Sequence, residues 1–221
     1  LALALLLACA RRLPEAAADA RAGRWTTWSP DGWLGADLRG ATLGIVGLGK
    51  IGRAVAARAR AFGMRIVYAG RRRDPGAEAE LDATALPLDA LLETSDFVSL
   101  HVPRTPATEG MIDAAALRRM KPSARLINTA RGSLVDPDAL AEALRAGWIA
   151  GAAIDVTDPE PLPAGHPLYA EPRLLITPHI GSATEGTRRR MAELAVANLL
   201  AGLAGEALPH CVNPAPRRDP R

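Results

Sequence analysis

Residues 42–62 read TLGIVGLGKIGRAVAARARAF, and the order of residue types in them leaves few folds open. A short apolar run at 42–46 leads directly into Gly47-Leu48-Gly49-Lys50-Ile51-Gly52, and that hexapeptide leads directly into a helix-forming segment. Glycine-rich turns are common, so G-x-G-x-x-G alone says little. Between a strand and a helix it describes a dinucleotide site. Gly47 permits the tight turn, Gly49 lets the backbone approach a pyrophosphate, and Gly52 lets helix and strand pack closely. The N–H groups that open the helix are then placed to receive phosphates.

The rest of the chain fits this beginning. Apolar runs without alternation recur at 65–69, 97–100, 125–128, 151–155 and 174–177. Helical segments are predicted at 51–62, 88–93, 114–119, 137–146 and 185–204. Non-alternating strands separated by helices indicate a parallel sheet covered on both faces, which is a doubly wound, Rossmann-type α/β domain. The expected organisation is a helix over 1–22 weakened near Pro14, a dinucleotide-binding domain over 23–182, a C-terminal helical segment over 183–208 and a tail over 209–221. An irregular connector rich in tryptophan, residues 24–40, falls within that domain.

Composition narrows the function. At 221 residues, 48% hydrophobic and 23% charged, the chain is of ordinary globular type. The net charge is +3, but the arginines are scattered and aromatics are only 4%, so nucleic-acid binding is not expected. Two cysteines, Cys9 and Cys211, suit a reduced, cytoplasmic protein better than a disulfide framework. No apolar run approaches the ~20 residues that span a bilayer. The opening LALALLLACA imitates a signal core, yet it lacks an initiating Met and its Arg11-Arg12 pair follows the core. It is read instead as part of a helix, in a chain expected to be N-terminally truncated.

The turn after the second strand bears on the cofactor. Where an acidic residue would hold an adenosine ribose 2′-OH, 18 positions beyond Gly52, stands Gly70, followed by Arg71, Arg72 and Arg73 and only then Asp74. Guanidinium groups grip a 2′-phosphate in forked contacts that a carboxylate would oppose. NADP(H) is therefore expected over NAD(H), with Arg71 as the foremost contact and Arg72 beside it; the alternative is a solvated basic turn.

Three further segments end strands, where ligands sit in such sheets. Arg131 offers a permanent planar cation for a carboxylate or carbonyl. His179 offers a proton near neutral pH. Glu160 could hydrogen-bond the imidazole and keep it charged. No metal site is read in the chain.

Taken together with GLGKIGRAVAARARAFGM, LHVPRTPATEGMID, MKPSARLINTARGSLVD, GAAIDVTDPEPLP and TPHIGSAT, these residues resemble the D-2-hydroxyacid dehydrogenase family. Within it the connector RWTTWSPDGWLGADL, the turn YAGRRR and the loop DVTDPEPLPAGHPLY are similar to glyoxylate/hydroxypyruvate reductases. The resemblance implies reduction of a small 2-keto acid to the D-2-hydroxy acid, with Arg131, Glu160 and His179 catalytic. It implies that Val102, Pro103, Thr108, Thr129, Ala130, Asp155 and Gly181 join the glycine turn in lining the cofactor; His101 either joins them or only caps the fourth strand. It also implies a homodimer, with Trp25, Trp28 and Trp33 near the interface or simply packed under a loop. A second substrate domain would be mostly absent here, leaving this piece poorly active. Two other readings stay open: a dinucleotide-sensing, corepressor-like protein, and another family enzyme such as a 3-phosphoglycerate dehydrogenase.

Overall fold

A computed structural model describes residues 1–213 of the chain. Seven strands form one wholly parallel sheet in the order β3-β2-β1-β4-β5-β6-β7: β1 (Thr42–Val46), β2 (Arg65–Ala69), β3 (Ala83–Ala85), β4 (Phe97–Leu100), β5 (Arg125–Asn128), β6 (Gly151–Ile154) and β7 (Leu174–Ile176). The chain runs outward from β1 through β2 to β3, then returns to β4 on the other side of β1. The strand order thus reverses between β1 and β4, and the crevice at their carboxyl ends is where a ligand is accommodated in such sheets.

Strands β1, β4, β5 and β6 are buried at every residue, which is why they lack polar alternation. Successive side chains serve opposite faces. In β5, Leu126 enters one hydrophobic cluster and Ile127 the other. One face is covered by α1 (Ala2–Ala10), α3 (Lys50–Ala61) and α4 (Pro75–Leu81), whose Leu5, Leu6, Val55 and Leu81 pack with Leu43, Ile45, Tyr68 and Phe97. The opposite face is covered by α5 (Leu88–Thr94), α6 (Ala114–Arg119) and α7 (Pro137–Ala146), whose Leu91, Leu117, Leu140 and Leu144 pack with Val98, Leu100 and Leu126.

Local sequence sets the helix starts. Asp74, Asp113 and Asp136 each accept a backbone N–H in the first turn of α4, α6 and α7, and proline opens α4 and α7. Residues Leu1–Gly181 form one compact unit; a second begins at Ser182 and contains α8 (Glu185–Leu203), capped by Thr184.

Two departures from expectation concern local signals. The helix expected over 1–22 is two helices, α1 and α2 (Leu13–Arg21), and the break falls at Arg11-Arg12 rather than at Pro14. Arg12 adopts a left-handed φ of 51°, and Pro14 then opens α2 instead of kinking a continuous helix. Helix α1 buries Ala2, Leu5, Leu6 and Ala10 only, and α2 buries nothing. Strand β3 and helix α4 lie outside the expected elements, although Asp74-Pro75 is a helix-start signature. Of the tail expected over 209–221, residues 214–221 lie outside the described residues.

Candidate active site

The glycine turn occupies the β1 side of the crevice. Gly47 has φ +99°, and a Cβ there would meet the His101 carbonyl oxygen and the Val102 side chain at 2.8 Å. A Cβ on Gly52 would lie 2.2 Å from the Gly47 carbonyl oxygen. Both glycines are therefore required by protein packing. Gly49 differs, for nothing stands within 4 Å of its Cβ position. It opens α3, which has no side-chain cap, so the N–H groups of the first turn are left without a side-chain acceptor. Open space against uncapped N–H groups is the cradle an anionic diphosphate fills, and the residues present fit a dinucleotide.

The crevice is a cleft of about 670 Å³ whose walls include Gly47, Leu48, Gly49, Arg71, Arg72, Val102 and Pro103. Lys50 and Ile51 are exposed at the start of α3. His101 also lines the cleft, and its Nε2 lies 2.9 Å from the Ser99 hydroxyl. Burial pushes its imidazole down to about 4, so it is uncharged at neutral pH. Thr108 stands behind that wall: its hydroxyl donates to the Pro103 carbonyl (2.8 Å) and accepts from the Thr105 N–H (2.8 Å), which folds the loop that carries Pro103.

The end of β2 holds a network that the sequence did not announce. Tyr68, 2% exposed, donates its hydroxyl proton to Glu78 Oε1 (2.6 Å) and accepts the Asp74 N–H (2.9 Å). Arg73 forms a fork with both Glu78 oxygens (3.0 and 2.5 Å), and Asp74 is ion-paired with Arg53. Arg71 and Arg72 make no side-chain hydrogen bond or ion pair among the described residues. The aspartate-proline signature of α4 would have pointed to part of this arrangement.

The second group of residues follows β5, β6 and β7 at the same carboxyl edge. After β5, the Asn128 side chain shapes the loop containing Thr129 and Ala130, donating to the Arg131 carbonyl (2.8 Å) and accepting the Ala130 N–H (3.0 Å). A Cβ at Gly132 would overlap the Thr157 carbonyl oxygen, so only glycine allows this loop to lie against the 157–158 segment. The Arg131 guanidinium is exposed and donates to the Ala130 carbonyl (2.6 Å).

After β6, Asp155 is 1% exposed and fixes the segment that follows β7. Its carboxylate accepts the Thr177 hydroxyl (2.5 Å), the Ile180 N–H (2.9 Å) and the Gly181 N–H (2.8 Å). Its carbonyl accepts the His179 N–H at 2.9 Å. His179 stands at the centre of that clasp with φ +52°, a conformation costly for a non-glycine residue and characteristic of functional positions. Its Nδ1 lies 2.5 Å from Glu160 Oε1, across 19 residues of sequence. Both side chains remain about half exposed. Beside the pair lies an apolar pocket of about 530 Å³ formed by Leu162, Tyr169, Ile176 and Pro178, residues that sequence reading did not single out. The structure thus joins His179 to Glu160 and Asp155 to Gly181, while no bond joins Arg131 to either pair among the described residues.

Comparison with known proteins agrees with this geometry. Residues 3–181 match the NAD binding domain of the D-isomer specific 2-hydroxyacid dehydrogenases. The chain is 51% identical over 213 residues to a glyoxylate reductase of Korarchaeum cryptofilum, covering 96% of this chain and 64% of that protein. It is 47% identical over 210 residues to the human glyoxylate reductase/hydroxypyruvate reductase, covering 95% of this chain and 64% of the human one. A solved protein of Thermus thermophilus superposes with a TM-score of 0.91 at 57% identity, over 96% of this chain and 66% of that one. The chain therefore spans about 64% of the length of these curated relatives.

Proposed function

The chain belongs to the D-isomer specific 2-hydroxyacid dehydrogenase family, and from that premise we propose that it serves the NADPH-dependent reduction of glyoxylate or hydroxypyruvate to the corresponding 2-hydroxy acid, of D configuration where the product is chiral. The observation that carries this reading is the His179–Glu160 bond, held at the same sheet edge as a cleft suited to a dinucleotide. The names of the relatives supply the keto acid.

In this mechanism a bound reduced nicotinamide would supply the hydride for the carbonyl carbon. His179 supplies the proton: its Nδ1–H is engaged by Glu160, which leaves Nε2–H to donate to the keto oxygen. The carbonyl would thereby gain a hydride and a proton and become a hydroxyl, primary from glyoxylate and secondary from hydroxypyruvate. Glu160 orients the ring through its bond to Nδ1. Arg131 polarises the carbonyl and grips the substrate carboxylate through its fork. The turn at 47–52 and the uncapped start of α3 hold the pyrophosphate, with Val102, Pro103, Thr108, Thr129, Ala130, Asp155 and Gly181 completing the surroundings of the cofactor.

NADP(H) is preferred because Arg71 and Arg72, on the cleft wall, have no ion-pair partner among the described residues, while the nearby Asp74 is neutralised by Arg53. The protein is a homodimer; Trp25 and Trp28, 74% and 78% exposed, support this as an unfilled contact surface. Its unpaired Cys9 and Cys211 suit the cytoplasm, and no described helix is long and apolar enough to cross a membrane.

The test is NADPH and NADH oxidation by the full-length protein across a panel of 2-keto acids. Oxidation with glyoxylate or hydroxypyruvate, giving the D product from hydroxypyruvate and favouring NADPH, is the expected result. Silence on every keto acid would remove the enzymatic reading, and a preference for NADH would remove the assignment of Arg71. Trp28→Ala should weaken dimerisation in light scattering.

A further inference from the structure

We propose that Tyr68, Glu78 and Arg53 form a charge-sorting latch that sets dinucleotide preference, a role that rests on the reading of Arg71 as the 2′-phosphate contact. Residues 71–74 set three cations and one anion side by side along the chain, and such a turn could present either sign to the cleft. The network decides which. Glu78 withdraws Arg73 in a two-point fork. Arg53, in the first turn of α3, pairs with Asp74 Oδ2, while Asp74 Oδ1 is engaged by the Ala77 N–H at 2.9 Å. The carboxylate that would repel a 2′-phosphate is thus countered on one oxygen and bound to a helix start on the other. Only Arg71 and Arg72 are left unpaired among the described residues of the turn.

The Tyr68 hydroxyl is the joint of the latch. Its one oxygen bonds the Asp74 N–H and the Glu78 carboxylate together, and its ring is fixed in the core between β2 and the helices above it. Burial and the Glu78 carboxylate push the phenol above its usual range, so it stays a neutral donor. The Arg73 guanidinium and the Tyr68 hydroxyl hold Glu78 down to about 2, so it is ionised at neutral pH. Tyr68, Glu78 and Arg53 are positioning residues: they shape the turn and its field, and Arg71 makes the contact.

The experiment is calorimetric titration of the protein with adenosine 2′,5′-bisphosphate and with adenosine 5′-monophosphate, reading the ratio of the two affinities. The unmodified protein should prefer the bisphosphate by about tenfold or more, and Arg71→Ser should abolish the preference. Tyr68→Phe and Glu78→Gln should each lower the ratio about fivefold, the effect of losing one hydrogen bond that fixes the turn. Arg53→Met should lower it about tenfold by unmasking Asp74, and adding Asp74→Asn, which keeps a helix cap, should restore it. A purely structural pair would not be rescued in that way. A ratio near one in the unmodified protein overturns the 2′-phosphate reading and the latch together. A preference that survives Tyr68→Phe, Glu78→Gln and Arg53→Met overturns the latch alone.

Discussion

A Cβ at Gly52 would lie 2.2 Å from the Gly47 carbonyl oxygen, whereas one at Gly49 meets nothing within 4 Å. The same added methyl group therefore has opposite consequences at two neighbouring glycines. Gly52→Ala must displace backbone, and we expect a loss of at least about 2 kcal/mol in chemical denaturation. Gly49→Ala should leave the melting temperature nearly unchanged and weaken NADPH binding more than about tenfold in a fluorescence titration, because the methyl occupies the approach of the pyrophosphate. Glu160→Gln keeps the shape of the partner to His179 but not its charge. It should lower kcat by roughly a hundredfold with little change in KM for the keto acid, and His179→Gln should cost at least as much. Retention of kcat in both variants would remove the proton-donor role. Residue types made this group visible in the sequence, since Arg, Glu and His at strand ends have few other purposes. The left-handed backbone of His179 was not visible, because Pro178 and Ile180 carry no signal for it.

The elements were legible in proportion to how fully they are buried. Strands such as β4 and β5 show as unbroken apolar runs because both faces are covered. The three-residue β3, Ala-Thr-Ala, has too little apolar surface to stand out, and only its parallel pairing with β2 makes it a strand. The end of α1 was equally silent, since the left-handed residue there is Arg12 rather than glycine or asparagine. Its position is explained by tertiary contacts: the Ala10 carbonyl accepts the Ala36 N–H at 2.8 Å, and the Arg12 guanidinium lies 4.7 Å from the Trp33 ring centroid. The segment after β7 depends on one residue outside it. Asp155→Asn replaces an acceptor with an amide that points a donor at other donors. We expect a loss of about 2–3 kcal/mol and a fall in activity from disorder around His179, read as lowered amide protection of Ile180 and Gly181 in hydrogen exchange.

At the scale of the whole domain, acid should act in two stages. His101 titrates at about 4 in the fold but near 6.5 in an unfolded chain. Between those values the unfolded chain binds a proton that the fold refuses, so stability falls as pH drops through that window. The slope is at most about 1.4 kcal/mol per pH unit, and His101→Gln should flatten it in melting curves between about pH 6.5 and 4. At lower pH, Asp96 responds. Burial raises its carboxyl, but the Lys121 ammonium and the Thr42 N–H, each at 2.8 Å, outweigh burial and hold it below its ordinary value. Its stabilising contribution is present above the unfolded value and is lost as pH falls through the lowered one. The reversal of strand order between β1 and β4 has a consequence of another kind. In the proposed reading the dinucleotide-selecting Arg71 lies in the turn after β2, whereas Glu160 and His179 follow β6 and β7, four and five strands away in the sheet. Substitutions that retune one chemistry are separated from the other by the fully buried strands β1, β4 and β5. On that reading, substitutions at Arg71 should change the cofactor without disturbing the His179–Glu160 pair, and substitutions around the pair should leave cofactor choice intact.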